Sequence, residues 1–284
     1  MTLSDCQLTK FKGDYTVIRR PVVAGQFYPQ TEASLRKMLS GLIEPVSEKQ
    51  DAIGVIMPHA GYVYSGQVAG LTISKVDLKK TVIILGTNHA GRGERFSIMT
   101  GGSWMTPLGE VKIDSEIACS MLKEGPLLKE DTLAHLQEHS IEVEIPFLQY
   151  LKNDIKIVPI SVSPQAELSE CQRLGEDIVN GFKKIGRSGL FMASTDMTHY
   201  ESEEIAKEKD RLAIDAIMDM SEEKLFNVVK EKGISMCGLP ATCAFMSVCK
   251  NLGAKKAGLV KYQTSGDISG DYSSVVGYAG MIIC

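Results

Sequence analysis

Thr81-Val82-Ile83-Ile84-Leu85-Gly86-Thr87-Asn88-His89 is a run of β-branched and aliphatic residues that stops at a histidine. Ile53-Gly54-Val55-Ile56-Met57 has the same form and stops at Pro58-His59-Ala60-Gly61-Tyr62. Gly189-Leu190-Phe191-Met192-Ala193 leads into Ser194-Thr195-Asp196-Met197-Thr198-His199. Gly258-Leu259-Val260-Lys261-Tyr262 leads into Gln263-Thr264-Ser265-Gly266-Asp267. Short apolar runs bounded by turn signals read as buried strands. In open α/β sheets, ligands bind in the crevice beyond the carboxyl ends of the strands. The four runs therefore point to one rim that gathers imidazole and carboxylate groups.

Outward from these runs, helical and extended patterns alternate. Glu32 to Leu42 has helical spacing, with Leu35, Met38, Leu39 and Leu42 on one face. Further helices are expected from Ser65 to Lys75, from Asp114, from Glu167 to Lys184, over Glu203–Met220 and over Glu222–Lys232, with Pro240 opening another. Phe96 to Val111 reads as a β-excursion with Pro107-Leu108-Gly109 as its turn. Ile155 to Val162 reads as another buried strand, and strands around Leu259 and from Val275 to Ile283 close the chain. Strands alternating with helices predict an α/β fold, a single domain with a mainly parallel central sheet covered by helices on both faces. Residues 1–19 read as a leader and 20–284 as the domain, with no internal linker or repeat.

Composition narrows the classes. A length of 284 residues with 44% hydrophobic content is enough for a large core. The formal charge of −4 argues against a nucleic-acid binder, which needs a basic face. Seven cysteines, an odd number without a CxxC pair, fit a reducing compartment better than a disulfide framework. Met1 to Arg20 is polar and does not read as a signal peptide. No apolar run reaches the roughly 18 residues of a membrane span. A cytoplasmic location without membrane association is the expectation. Gly86 to Gly93 is neither a Walker loop nor a dinucleotide fingerprint, and no G-x-S-x-G elbow accompanies Ser194, Asp196 and His199.

Five histidines are few, and His59 and His89 both follow predicted strands. Two imidazoles and one carboxylate on one face, with open positions opposite, suit non-haem Fe(II). Zn(II) accepts the same donors with one bound water. On this reading His59, His89 and Asp267 are metal ligands from three strand ends, with Asp196 and His199 nearby as acid–base groups. More ordinary roles exist for several of these residues. His139 beside Ser140 also reads as a helix start with Glu142 and Glu144 on its solvated side, and His135 reads as a surface residue. Asp267 and Asp271 flank a Gly-rich turn, a common structural use of Asp. Cys237 and Cys243 read as core or near-core thiols.

Several of these segments carry a resemblance. Arg20-Pro21-Val22-Val23-Ala24-Gly25-Gln26-Phe27-Tyr28-Pro29, Pro58-His59-Ala60-Gly61-Tyr62, Gly86-Thr87-Asn88-His89 and Thr106-Pro107-Leu108-Gly109 together resemble the Memo family. Glu138-His139-Ser140-Ile141-Glu142, Ser194-Thr195-Asp196-Met197-Thr198-His199 and Thr264-Ser265-Gly266-Asp267 extend the likeness in the same order to the C-terminal region. The resemblance implies a fold like that of the class III extradiol ring-cleaving dioxygenases, which hold Fe(II) with two His and a carboxylate. It implies His59 and His89 as metal ligands, His199 as the acid–base residue, His139 lining the pocket and Asp196 near the metal. Animal members carry a Cys at about the third ligand's place, and Asp267 is the expected third ligand here. Microbial relatives, often called AmmeMemoRadiSam system protein B, accompany a radical-SAM protein and an AMMECR1-like partner domain, which are the partner proteins expected. The function implied is a non-haem iron oxidoreductase, dioxygenase-like, acting on an unknown small-molecule substrate. A metal-dependent hydrolase and a non-enzymatic scaffold that keeps the pocket are the alternatives. Iron is the metal expected first, with zinc or copper as the others.

Overall fold

Gly54–Met57, Thr81–Thr87 and Leu190–Ser194 are buried along their whole length. Continuous apolar runs of this kind belong to parallel strands covered on both faces. A computed structural model describes residues 17–284. Its strands are β1 (Ile18–Arg19), β2 (Gly54–Met57), β3 (Thr81–Thr87), β4 (Phe96–Ile98), β5 (Ser103–Thr106), β6 (Gly109–Ile113), β7 (Lys129–Glu130), β8 (Lys156–Val162), β9 (Leu190–Ser194), β10 (His199–Glu201), β11 (Ala257–Thr264) and β12 (Val275–Ile283). They form one mixed, mostly parallel sheet in the order β1-β5-β6-β8-β3-β9-β2-β12-β10, with β4 and β7 beside β8 and β11 on β12. The chain is a single α/β domain.

The centre of the sheet sets up the site. β3 pairs in parallel with β8 on one side and β9 on the other, and β9 pairs in parallel with β2. The step from β2 to β3 crosses β9 in one direction, and the step from β8 to β9 crosses β3 in the other. Right-handed crossovers in opposite directions put their helices on opposite faces. Accordingly, Tyr62–Ser74 packs with Glu32–Leu42 and Ile145–Leu151, whereas Leu168–Ile185 packs with Ser115–Glu124 and Leu239–Asn251. The point where the connections diverge, at the carboxyl ends of β2, β9 and β3, is the crevice such folds use for ligands.

Local signals explain the helices. Thr31 caps Glu32–Leu42 with its side chain on Ser34 N, and that helix has the expected bounds. Glu167 and Glu170 make a capping box at the start of Leu168–Ile185, which ends on Gly186 in the left-handed conformation. Pro240 sits in the first turn of Leu239–Asn251, as its missing N–H favours. No helix among the described residues is long and apolar enough to cross a membrane.

One expectation lies largely outside the described residues, and two others change. The anticipated leader, residues 1–19, lies outside the described residues except for its last three, and β1 pairs in parallel with β5. His135, read as a surface residue, is fully buried against Trp104. Glu142 and Glu144, read as solvated, are fully buried too. For His135 and Glu142 the reason is Arg19, a buried guanidinium that pairs with Glu142 and donates to the carbonyls of His135 and Glu138, whereas Glu144 meets Ser194. Glu142 also accepts from Val22 N, Val23 N and Tyr28 Oη. A buried charge persists when it is paired and fully hydrogen-bonded. This network pins the 135–144 segment over the end of β3.

Candidate metal centre

His59, two residues past β2, is 2% exposed. Its backbone N–H donates to Asp196 Oδ1 at 2.8 Å, which ties the ends of β2 and β9 together. Its Nδ1 lies 2.9 Å from Ser194 Oγ and its Nε2 lies 3.2 Å from Cys237 Sγ. Burial, and then the neighbouring His139, His89 and His199, push its pKa well below the ordinary imidazole value, so the ring is neutral.

His89, two residues past β3, is oriented by Glu138. The carboxylate accepts from His89 N at 2.6 Å and meets His89 Nδ1 at 2.9 Å. It also accepts from the backbone N–H groups of His139 and Ser140. Burial opposes ionisation of Glu138, yet the His89 hydrogen bond and charge and the Ser140 N–H bring its pKa down to about 2. A carboxylate on Nδ1 leaves Nε2 as the ligating nitrogen, the arrangement common at metal-bound imidazoles.

His139 completes a triangle of rings. Ring centroids are 5.2 Å apart for His59 and His89, 5.4 Å for His59 and His139, and 4.7 Å for the stacked pair His89 and His139. Burial is the main cause of a lowered pKa at His139. The segment carrying it crosses the end of β3 closely. A Cβ on Gly86 would come within 2.6 Å of both Ser140 Oγ and Ile141 Cγ1, so the approach requires glycine.

One ligand atom from each of His59, His89 and His139 lies within 4.8 Å of the other two. The cluster lines a cavity of about 480 Å³ that Asp196, His199 and Cys237 also line. These donors fit a first-row metal ion, which takes neutral imidazole and thiolate. A metal about 2.0 Å from nitrogen and 2.3 Å from sulfur holds the two roughly 3.5 Å apart at a tetrahedral angle. The 3.2 Å between His59 Nε2 and Cys237 Sγ is close to that separation.

The acid–base groups differ in setting. Asp196 is 4% exposed, and burial raises its pKa to about 6 against the lowering charge of His199. His199 follows on β10, with Nδ1 2.9 Å from the Ser235 carbonyl oxygen. A carbonyl only accepts, so Nδ1 carries the hydrogen and Nε2 is the position that gains or loses a proton.

The structure thus brings His59, His89, His139, Asp196 and His199 into one cavity, and places Asp267 elsewhere. Asp267 is exposed and accepts from Thr264 N at 2.8 Å. Its strand β11 ends on the same rim, being antiparallel to β12, which is antiparallel to β2. However, β12 lies between β11 and the crevice, and the short helix Gly266–Ser269 turns the carboxylate back onto its own chain. In its place the cavity has Cys237, read from sequence as a core thiol. Its pKa is pushed up to about 12 by burial and by Asp196, and Asp196 N donates to its sulfur at 3.3 Å. Glu138 and Ser194 also gained their roles only from the structure. The one local signal for Glu138 was its place beside His139, and Cys237 had none beyond the glycine that follows it.

A family model described as Memo-like protein matches residues 19–282. A protein of Methanopyrus kandleri described as a MEMO1 family protein is 41% identical over 278 residues, covering 93% of this chain and 98% of its own. A MEMO1 family protein of Methanocaldococcus jannaschii is 42% identical over 287 residues, covering 94% and 99%. Among solved structures, an uncharacterized protein from Escherichia coli K12 superposes with a TM-score of 0.52 at 10% identity, covering 81% of this chain and 98% of that one. That likeness bears on the fold alone.

Proposed function

This chain belongs to the Memo family, and from that premise we propose that it is a metal-dependent oxidoreductase with a non-haem metal, iron first, acting on a small molecule. The observation that carries the reading is the cluster of His59, His89 and His139 in a cavity that also holds a thiol and two acid–base groups. His59, His89 and His139 would hold the metal, and Cys237 adds a thiolate donor beside His59. When bound, such a metal supplies Lewis acidity and redox chemistry in its open positions.

The chain's own groups do the rest. Glu138 fixes the ring of His89, and Ser194 fixes that of His59. Asp196, with a pKa of about 6, exchanges a proton near neutrality without leaving its hydrogen bond to His59 N. His199, anchored through Nδ1 to Ser235, takes or gives a proton at Nε2. Exposed Tyr200 and partly buried Phe27 also line the cavity and offer aromatic faces to a bound small molecule.

One feature favours a hydrolytic reading as the second choice. The clustered donors among the described residues are three imidazoles with a thiol alongside, a set that zinc accepts readily with a bound water. Anaerobic loading with Fe(II), followed by O₂ uptake with a panel of catechol-like compounds, tests the choice. Iron-dependent uptake that disappears in His199→Ala supports the oxidoreductase. Ester or amide hydrolysis by the zinc-loaded protein, with no O₂ uptake by the iron-loaded one, selects the hydrolase.

A further inference from the structure

Behind His59, away from the cavity, the side chain of Ser194 meets three partners. Its Oγ is 2.6 Å from the Ser140 carbonyl oxygen, 2.9 Å from Glu144 Oε1 and 2.9 Å from His59 Nδ1. A serine hydroxyl has one hydrogen to donate and two lone pairs to accept with. The Ser140 carbonyl can only accept, and 2.6 Å is at the short end of the O–H···O range, so the hydroxyl hydrogen lies on that contact. Glu144 and His59 must then both be donors.

The surroundings of Glu144 agree. It is fully buried, and its Oε2 has no hydrogen-bond partner. Among the described residues no cation faces it; the charged neighbour is Asp196, of the same sign, and the buried Tyr62 spends its hydroxyl on the Val143 carbonyl. An ionised carboxylate with one bare oxygen in such a place would be very costly, whereas a neutral acid leaves only a carbonyl oxygen unpaired.

We infer that Glu144 is a carboxylic acid, not a carboxylate, and is a positioning residue of the metal centre: its O–H donates to Ser194 Oγ and holds that hydroxyl on the Ser140 carbonyl, so that His59 donates from Nδ1 and keeps Nε2 as a lone pair beside Cys237 Sγ. The two strand-end imidazoles are then backed differently. His89 rests on an ionised carboxylate, and His59 rests on a neutral acid through a hydroxyl. A carboxylate partner makes an imidazole the stronger donor to a metal, so His89 would be the stronger ligand and His59 the weaker one. Only this last consequence rests on the metal-binding reading; the proton positions do not.

Infrared and ¹⁵N NMR spectra of the metal-free full chain test the inference. At neutral pH the wild type should show the C=O stretch of a protonated carboxyl group that vanishes in Glu144→Gln, and His59 should be the Nδ1–H tautomer. Glu144→Gln and Glu144→Met both leave the Ser194 hydrogen on the Ser140 carbonyl and should retain that tautomer, whereas Ser194→Ala should yield a tautomer mixture. Added Zn(II) should bind Ser194→Ala about 10- to 100-fold more weakly, the usual effect of losing the partner behind a ligand. Absence of the carboxyl band, or an Nε2–H tautomer of His59 in the wild type, overturns the inference. Both wild-type readings stand even if a variant fails to fold, and neither depends on whether the protein binds metal.

Discussion

The Glu138 carboxylate holds His89 at two points, accepting its backbone N–H at 2.6 Å on Oε2 and its Nδ1–H at 2.9 Å on Oε1. One side chain thus fixes the end of β3, the ring's tilt and its tautomer together. Glu138→Gln keeps the shape and removes the charge. We expect metal affinity about 10- to 100-fold lower, measured by competition against a chromophoric chelator. Unchanged affinity would show that Glu138 only braces the loop.

The buried pair Arg19–Glu142 fastens the start of the domain to the segment that carries Glu138 and His139. Glu142→Ala leaves the guanidinium buried without its carboxylate. The expected loss is about 3–5 kcal/mol in urea unfolding, the range for breaking one side of a buried ion pair. A loss under about 1 kcal/mol, the level of a surface pair, would mean that Arg19 finds water or another partner.

His135 links stability to pH. It is fully buried, and burial lowers its pKa from 6.5 to about 4. The unfolded chain therefore binds this proton near pH 6.5 and the folded chain only near pH 4. Its contribution is present above pH 6.5 and is lost as pH falls through 4. The loss is of the order of 3 kcal/mol, at about 1.4 kcal/mol for each step of one in pH between 6.5 and about 4. His135→Leu should flatten the stability profile between pH 6.5 and 4, followed by urea midpoints. An equally steep profile in the variant would assign the effect to the cavity histidines alone.

His199 is anchored by Ser235 at the cavity edge, outside the three-imidazole cluster. His199→Ala should keep the wild-type metal content while turnover falls by at least about 100-fold, the lower end for loss of a general acid–base. Metal loss in this variant would make His199 a ligand.

Much of this arrangement was legible in the sequence, and the limits are physical. Continuous apolar runs identified β2, β3 and β9, and because those three are neighbours, their strand-end residues His59, His89, Asp196 and His199 converge. β11 gave the same signal, but sheet order is not encoded in the run itself, and β12 separates Asp267 from the crevice. Glu142 and Glu144 looked solvated because a carboxylate's burial depends on a distant partner. Arg19 is 123 positions from Glu142, a pairing that no local period reveals. Cys237 reaches His59 across 178 positions for the same reason.

Metal content tests the central claim most directly, by elemental mass spectrometry on protein purified anaerobically without chelators or metal-binding tags. The wild type should carry, or take up from added Fe(II) or Zn(II), close to one ion per chain, and His59→Ala and His89→Ala should each lose most of it. A wild-type chain that refuses both ions, or two variants that retain full occupancy, would contradict a metal centre at these histidines.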